Sequence, residues 1–195
     1  MKIVIIDYGA GNVFSVLMAL KRLGYEAVVS GDADEIRSAD RVIFPGVGQA
    51  SAAMEQLRAS GLDRVIPELK MPVLGVCLGM QLMCRSTEEE NTHGLGIFPL
   101  DVQKITGNYK IPHMGWNNIT GLKTGLFKGI AENSRMYFVH SYYLKAGREE
   151  DVAATTEYST LIHAAVEHDN VFACQFHPEK SSEIGLKILK NFVEL

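Results

Sequence analysis

The sequence predicts an α/β fold: a mixed, mostly parallel sheet with helices on both faces and an antiparallel part toward the C-terminus, all within one domain spanning 1–195. Three observations carry this expectation. In the first half, short β-rich runs closed by turn signals alternate with a helical apolar period, the pattern of parallel strands joined by right-handed crossovers. In the second half, β-rich runs follow one another with short breaks, as antiparallel strands do. The 195 residues are 47% hydrophobic and 22% charged, enough apolar material for a full core.

Taken in order, "KIVIID" (2–7) is the first strand, and Gly9 and Gly11 give the tight turn after it, with Asn12 as a cap. Val13, Val16, Leu17, Leu20 and Leu23 recur at helical spacing, and Gly24 follows as the stop. "EAVVS" (26–30) and "RVIFPG" (41–46) are strands, 50–58 a helix, and "MPVLGV" (71–76) a strand leading into a helix that begins near Leu78. Further strands are read at 115–119, 136–144, 151–158, 161–168 and 171–176, with a turn at "HDN" (168–170). The chain closes with a helix capped by Ser181 or Ser182, whose apolar stripe is Ile184, Ile188, Leu189 and Phe192. No repeat, low-complexity tract or long linker interrupts the chain.

The formal net charge is −4, so no basic face is offered to nucleic acid or an anionic membrane. No apolar stretch reaches a membrane span, and Asp7 cuts "MKIVIID" too short for a signal peptide, so a cytoplasmic location is expected. Cys77, Cys84 and Cys174 are odd in number, which suits a reducing compartment. Without a CxxC pair or a nearby histidine they do not form a metal site, and no cofactor is expected.

The chemistry gathers around Gly75-Val76-Cys77-Leu78-Gly79. A strand behind, a helix ahead and glycines on either side give this stretch the form of a nucleophile elbow with cysteine in place of serine. In a parallel sheet the carboxyl end of a strand is where sites form. The helix N-terminus would favour a thiolate and receive an oxyanion. A buried, inert cysteine is the alternative for Cys77. Cys84, two helical turns on, and Cys174, inside a strand, read as core.

A cysteine nucleophile needs a histidine oriented by a carboxylate. His177 ends a strand in "FHPEKSS", and Glu179 lies two residues on, on the same side of an extended segment. In "FPGVGQ" (44–49), Gly46 and Gly48 let backbone N–H groups converge on an oxyanion or a carboxylate, or simply make a strand-to-helix turn.

These residues together resemble the class I (triad) glutamine amidotransferases, through Gly75-x-Cys77-x-Gly79-x-Gln81 and His177-Pro178-Glu179. The resemblance implies a three-layer α/β/α domain whose Cys77-His177-Glu179 triad hydrolyses the side-chain amide of L-glutamine. It implies an oxyanion held by the N–H of Leu78 and by one from Gly46–Val47. Gly48, Gln81, Glu89, Ser141 and Tyr142 would hold the substrate. Glu89, in "TEEEN" (87–91), otherwise reads as solvated surface.

Within the family, "IDYGAGN", "PGVG", "PHMGWN", "YFVHSY" and "FHPEKS" point to the branch that feeds ammonia to a separate (β/α)₈-barrel cyclase in histidine biosynthesis, as a heterodimer. Anthranilate and aminodeoxychorismate synthase glutaminases are the alternative, but they are not expected to carry "PHMGWN". Trp116, Asn12, Ser15, Tyr137 and Lys180 are the candidate partner-facing residues, with a core aromatic as the other reading of Trp116 and a solvated charge that of Lys180. The resemblance further implies near-silence without the partner, with Gly46–Val47 as a two-state segment.

Three rivals are weaker. A dinucleotide turn at "DYGAGNVF" has Phe14 where the third glycine belongs. An unrelated cysteine hydrolase would act on another amide, and a binding module would not keep nucleophile, base and orienter intact.

Overall fold

Seven of the β-rich runs line up as neighbours in a seven-stranded sheet, seen in a computed structural model that describes residues 1–145 and 148–195. In chain order the strands are β1 (Ile3–Ile6), β2 (Ala27–Ser30), β3 (Arg41–Gly46), β4 (Val73–Cys77), β5 (Cys84–Thr87), β6 (Thr92–His93), β7 (Phe98–Lys104), β8 (His113–Ile119), β9 (Ser134–His140), β10 (Tyr142–Lys145), β11 (Val152–Tyr158), β12 (Thr160–His168) and β13 (Val171–Cys174). The helices are α1 (Val13–Arg22), α2 (Ala33–Arg37), α3 (Ala50–Ser60), α4 (Leu62–Val65), α5 (Leu78–Leu82) and α6 (Ser182–Val193).

The main sheet runs β11-β12-β13-β4-β3-β1-β2. From β13 to β2 every pair is parallel, and β11-β12-β13 are antiparallel, as the alternation and the later meander predict. Because side chains alternate along a strand, β1, β3 and β4 feed two cores. Val4, Ile6, Val42, Phe44 and Val73 face α2, α3, α4 and a four-stranded sheet, β10-β7-β5-β6. Ile3, Ile5, Ile43, Leu74 and Val76 face α1, α6 and the β8–β9 pair. The outcome is three layers, with helices on both faces and a small sheet added to each. No helix among the described residues is long and apolar enough to cross a membrane.

Several local expectations are corrected. The run 136–144 is two strands, not one: β9 pairs with β8, β10 pairs with β7, and the chain changes sheets at Ser141. The helix after Cys77 ends at Leu82, so Cys84 begins a strand rather than sharing a helix face with Cys77. It is still fully buried, and burial with nearby Asp101 pushes its thiol up. Cys174 is a core residue as read.

The inward stripe of α6 contains Gly185 rather than Ile184, which is over a third exposed. A Cβ on Gly185 would lie 2.0 Å from the Pro178 carbonyl oxygen, so the helix packs through a glycine there. Asn12 and Ser181 occupy the N-cap positions of α1 and α6, but neither side chain caps. Ser181 Oγ instead donates to the His177 carbonyl at 2.6 Å and accepts the Tyr137 N–H at 3.0 Å. Gly24 ends α1 with φ +82°, as expected of a left-handed stop.

Candidate active site

Strand order brings the three sequence pieces to one edge. β3, β4 and β13 are adjacent and parallel, so their carboxyl ends lie side by side. Gly46 sits opposite Cys77 in register, and His177 follows the end of β13. Residues far apart in sequence thus meet because of the crossovers.

Cys77 has φ 54° and ψ −110°, a conformation that L-residues rarely adopt, and it directly precedes α5. The flanking glycines are required by contact. A Cβ on Gly79 would lie 2.0 Å from the Phe44 carbonyl oxygen, and one on Gly75 would lie 2.7 Å from Met83 Sδ. Gly46 is equally close, its Cβ position 2.6 Å from the Gly79 nitrogen. The turn is therefore squeezed against β3, which places the start of α5 beside the Gly46–Val47 segment.

His177 is 1% exposed and anchored by its backbone N–H, which donates to the Tyr137 carbonyl at 2.9 Å. Its Nδ1 lies 2.8 Å from Glu179 Oε1, so Nδ1–H donates to the carboxylate. The two meet because Pro178–Lys180 forms a 3-10 turn, not because the segment stays extended. Burial opposes the charged imidazolium, but Cys77 and Glu179 outweigh it and raise the pKa to about 10. Nε2 is buried with no hydrogen-bond partner among the described residues, which leaves it for a proton in transit.

A pocket of about 330 Å³ opens over Cys77 and His177. It is lined by Val47, Gly48, Leu78, Gln81, Glu89, Ser141 and Tyr142, among others. All five residues expected to hold substrate are therefore in its wall. Gly46 lies one residue behind the wall, and Glu179 lies behind His177. Glu89 is not idle surface: its Oε2 accepts the Ala50 N–H at 2.8 Å, tying it to the start of α3.

Trp116 is 43% exposed and is not core; it meets Tyr137 edge-to-face across β8–β9, with centroids 6.0 Å apart. Lys180 is exposed, while Asn12, Ser15 and Tyr137 are half-buried. Tyr137 joins this outer surface to the site through its carbonyl on His177.

Two features of the site were not read from the sequence. Gln175, a lone amide in the apolar run "VFACQF", is fully buried, and its Nε2 lies 3.7 Å from Cys77 Sγ. His113 and His140, 27 residues apart, form a buried pair with Nδ1 of the first 2.9 Å from Nε2 of the second. His140 Nδ1 lies 2.8 Å from the Tyr142 carbonyl, which only accepts. That fixes the protons: His140 Nδ1–H donates to Tyr142, and His113 Nδ1–H donates to His140 Nε2. His113 Nε2 is then left to accept from Asn117 Nδ2 at 3.3 Å.

The family model described as "Glutamine amidotransferase class-I" matches residues 4–195. The chain is 54% identical to "Imidazole glycerol phosphate synthase subunit HisH" of Bacteroides fragilis over the full length of both. It is 46% identical to the protein of that name from Moorella thermoacetica, covering 99% of this chain and 94% of that one. Among solved structures, it resembles a putative GMP synthase protein from Thermoplasma acidophilum with a TM-score of 0.79 at 20% identity, covering 100% and 92% of the two chains. It also resembles PurLQS from Thermotoga maritima with a TM-score of 0.73 at 18% identity, covering 99% and 97%.

Proposed function

The chain belongs to the class-I glutamine amidotransferase family, and on that premise we propose that it is the glutaminase subunit of an imidazole glycerol phosphate synthase. The observation that carries the reading is 54% identity to a HisH protein over the full length of both chains, joined to a pocket that holds Cys77 and His177. In this reading residues 1–195 act as one glutaminase domain.

The Cys77 thiolate attacks the side-chain carbonyl carbon of glutamine, and the carbonyl oxygen becomes an oxyanion. The N–H of Leu78 and one from Gly46–Val47 receive that charge. The carbon–nitrogen bond then breaks as the His177 imidazolium gives its proton to the nitrogen, releasing ammonia and leaving a γ-glutamyl thioester on Cys77. Neutral His177 next takes a proton from water, whose oxygen attacks the thioester. The carbon–sulfur bond breaks, glutamate leaves, and the thiolate–imidazolium pair is restored. Glu179 keeps the proton on Nδ1, so that Nε2 handles both transfers.

The ammonia passes to a separate (β/α)₈-barrel cyclase bound as the other half of a heterodimer. There it reacts with phosphoribulosyl formimino aminoimidazole carboxamide ribonucleotide to give imidazole glycerol phosphate and an aminoimidazole carboxamide ribotide. The exposed Trp116–Tyr137 surface, with Asn12, Ser15 and Lys180, is the docking face. Gly46–Val47 is the segment through which the liganded cyclase switches on glutamine hydrolysis. The test is reconstitution with the cyclase: a complex that makes imidazole glycerol phosphate from glutamine supports the reading. No complex, or turnover with ammonium salts but never with glutamine, counts against it.

A further inference from the structure

Among the described residues, Gln175 is the one side chain outside the triad that makes a hydrogen-bond contact to the sulfur, and the reaction above does not use it. Its neighbours determine which end of its amide faces which way. Gln81 Nε2 lies 3.1 Å from the Tyr142 carbonyl oxygen, so that atom is a donor and must be nitrogen. Its second hydrogen reaches Gln175 Oε1 at 2.9 Å. Gln175 therefore turns its oxygen to Gln81 and its Nε2–H to Cys77 Sγ, 3.7 Å away. Reversing the amide would set two NH₂ groups against each other and aim an oxygen at the sulfur.

The sulfur also lies 3.8 Å from the Val139 carbonyl, which can accept only from the thiol. On ionisation that contact loses its proton, and the Gln175 donor remains. A buried amide that costs stability unless fully bonded is thus fixed with its donor end on the nucleophile.

We propose that Gln175 is a further catalytic residue: its amide N–H donates to Cys77 Sγ and favours the thiolate over the thiol, and Gln81 holds it in that orientation. The inference rests on Cys77 being the nucleophile. The same donor eases departure of sulfur when the thioester breaks, because the thiolate re-forms there. Gln81 joins the donor to the pocket wall, so glutamine seated against Gln81 and Tyr142 stiffens the group that steadies the sulfur.

The titratable groups around the sulfur leave the effect readable. Tyr8 and Cys174 are pushed up, each first by burial, and keep their protons. His140, behind His177, is pushed down to about 3, first by burial, and stays neutral. His177, with Glu179 behind it, is the group in this set that Cys77 and Glu179 push up, against its burial.

The test is the rate of Cys77 alkylation by iodoacetamide in the full chain, read by mass spectrometry across the neutral to alkaline range, for wild type, Gln175→Met and Gln175→Glu. Iodoacetamide lacks the groups that Gln81 and the pocket wall would bind, so it reports on the sulfur. The expected result is alkylation about tenfold slower at neutral pH in Gln175→Met, with the profile moved to higher pH and rates converging in alkali. Gln175→Glu, which keeps the shape but turns a carboxylate toward the sulfur, is slower still. With the cyclase bound, kcat for glutamate release falls in both while KM holds.

Equal alkylation rates in wild type and Gln175→Glu, or a rise in KM alone, would overturn the inference and leave Gln175 as a prop for Gln81. Should Gln175→Met not fold, the isosteric Gln175→Glu decides by itself. If wild-type Cys77 is alkylated no faster than Cys84 and Cys174, the nucleophile reading fails and takes this inference with it.

Discussion

Acidification should unfold this protein through the His113–His140 pair before its carboxylates matter. Burial is the main reason both imidazoles resist a proton, with pKa values pushed down to about 4 and about 3. The hydrogen-bond chain adds a geometric reason, since a second proton on either ring would set N–H against N–H. In the unfolded chain both titrate near 6.5. Folded pKa values below the unfolded ones mean that the unfolded state takes up more protons, so stability present above about pH 6.5 is lost as pH falls toward the folded values.

Between pH 7.5 and 5 the linkage integral is about 2 kcal/mol for each ring, or about 4 kcal/mol together. That is a large part of a typical folding free energy of about 5–15 kcal/mol. His163, also pushed down mainly by burial, adds to the same limb. His177 has the opposite sign: its contribution is full below pH 6.5 and is lost as pH rises toward its folded value of about 10. Asp101, held down to about 2 chiefly by its bonds to Arg85 and Ser86, acts only below pH 4. Over the same window His177 returns about 1.4 kcal/mol, so urea unfolding of the isolated chain should show the midpoint falling by roughly 1–1.5 M. In His113→Gln/His140→Gln the fall should vanish or reverse, because only His163 is then left against the opposite contribution of His177, whatever the variant's absolute stability. A wild-type midpoint flat from pH 7.5 to 5, or a double variant with an undiminished slope, would refute the reasoning.

Three other outcomes follow from the same geometry. Glu179→Gln removes the charge on which His177 Nδ1–H rests; glutamate release in the reconstituted complex should drop about 10²–10⁴-fold in kcat with little change in KM. Gly79→Ala forces a Cβ to 2.0 Å from the Phe44 carbonyl oxygen; circular dichroism and thermal melting should show loss of more than about 3 kcal/mol or no soluble protein. Trp116→Ala removes the exposed ring that stands against Tyr137; calorimetric titration with the cyclase should show affinity reduced at least about tenfold with an unchanged melting curve.

Much of the sheet was legible because its buried strands are short, apolar and closed by glycine or proline. The nucleophile turn was legible for a related reason. Glycines at 75 and 79 are demanded by contacts with Met83 and Phe44, so the strain of the turn is written into the sequence around Cys77. The break at Ser141 was not legible: "YFVHSYYL" is β-rich throughout, and only tertiary pairing sends its halves to different sheets. β7 was missed although "FPLDVQK" buries Phe98, Leu100 and Val102 in alternation, a period-2 signal partly hidden by Pro99. The His113–His140 contact spans a hairpin and has no local signature. Gln175 did leave one, an amide in the apolar run "VFACQF" just past the end of β13 and two residues before His177, where a side chain without a partner would be costly.

The most direct test of the triad and its coupling is glutamate release from glutamine by this chain, alone and with the cyclase and its nucleotide, for wild type and Cys77→Ala. The expected result is slow release alone, strong stimulation in the liganded complex, and none from Cys77→Ala in either state. Release that persists in Cys77→Ala, or a wild-type complex that forms but frees no glutamate, would contradict it.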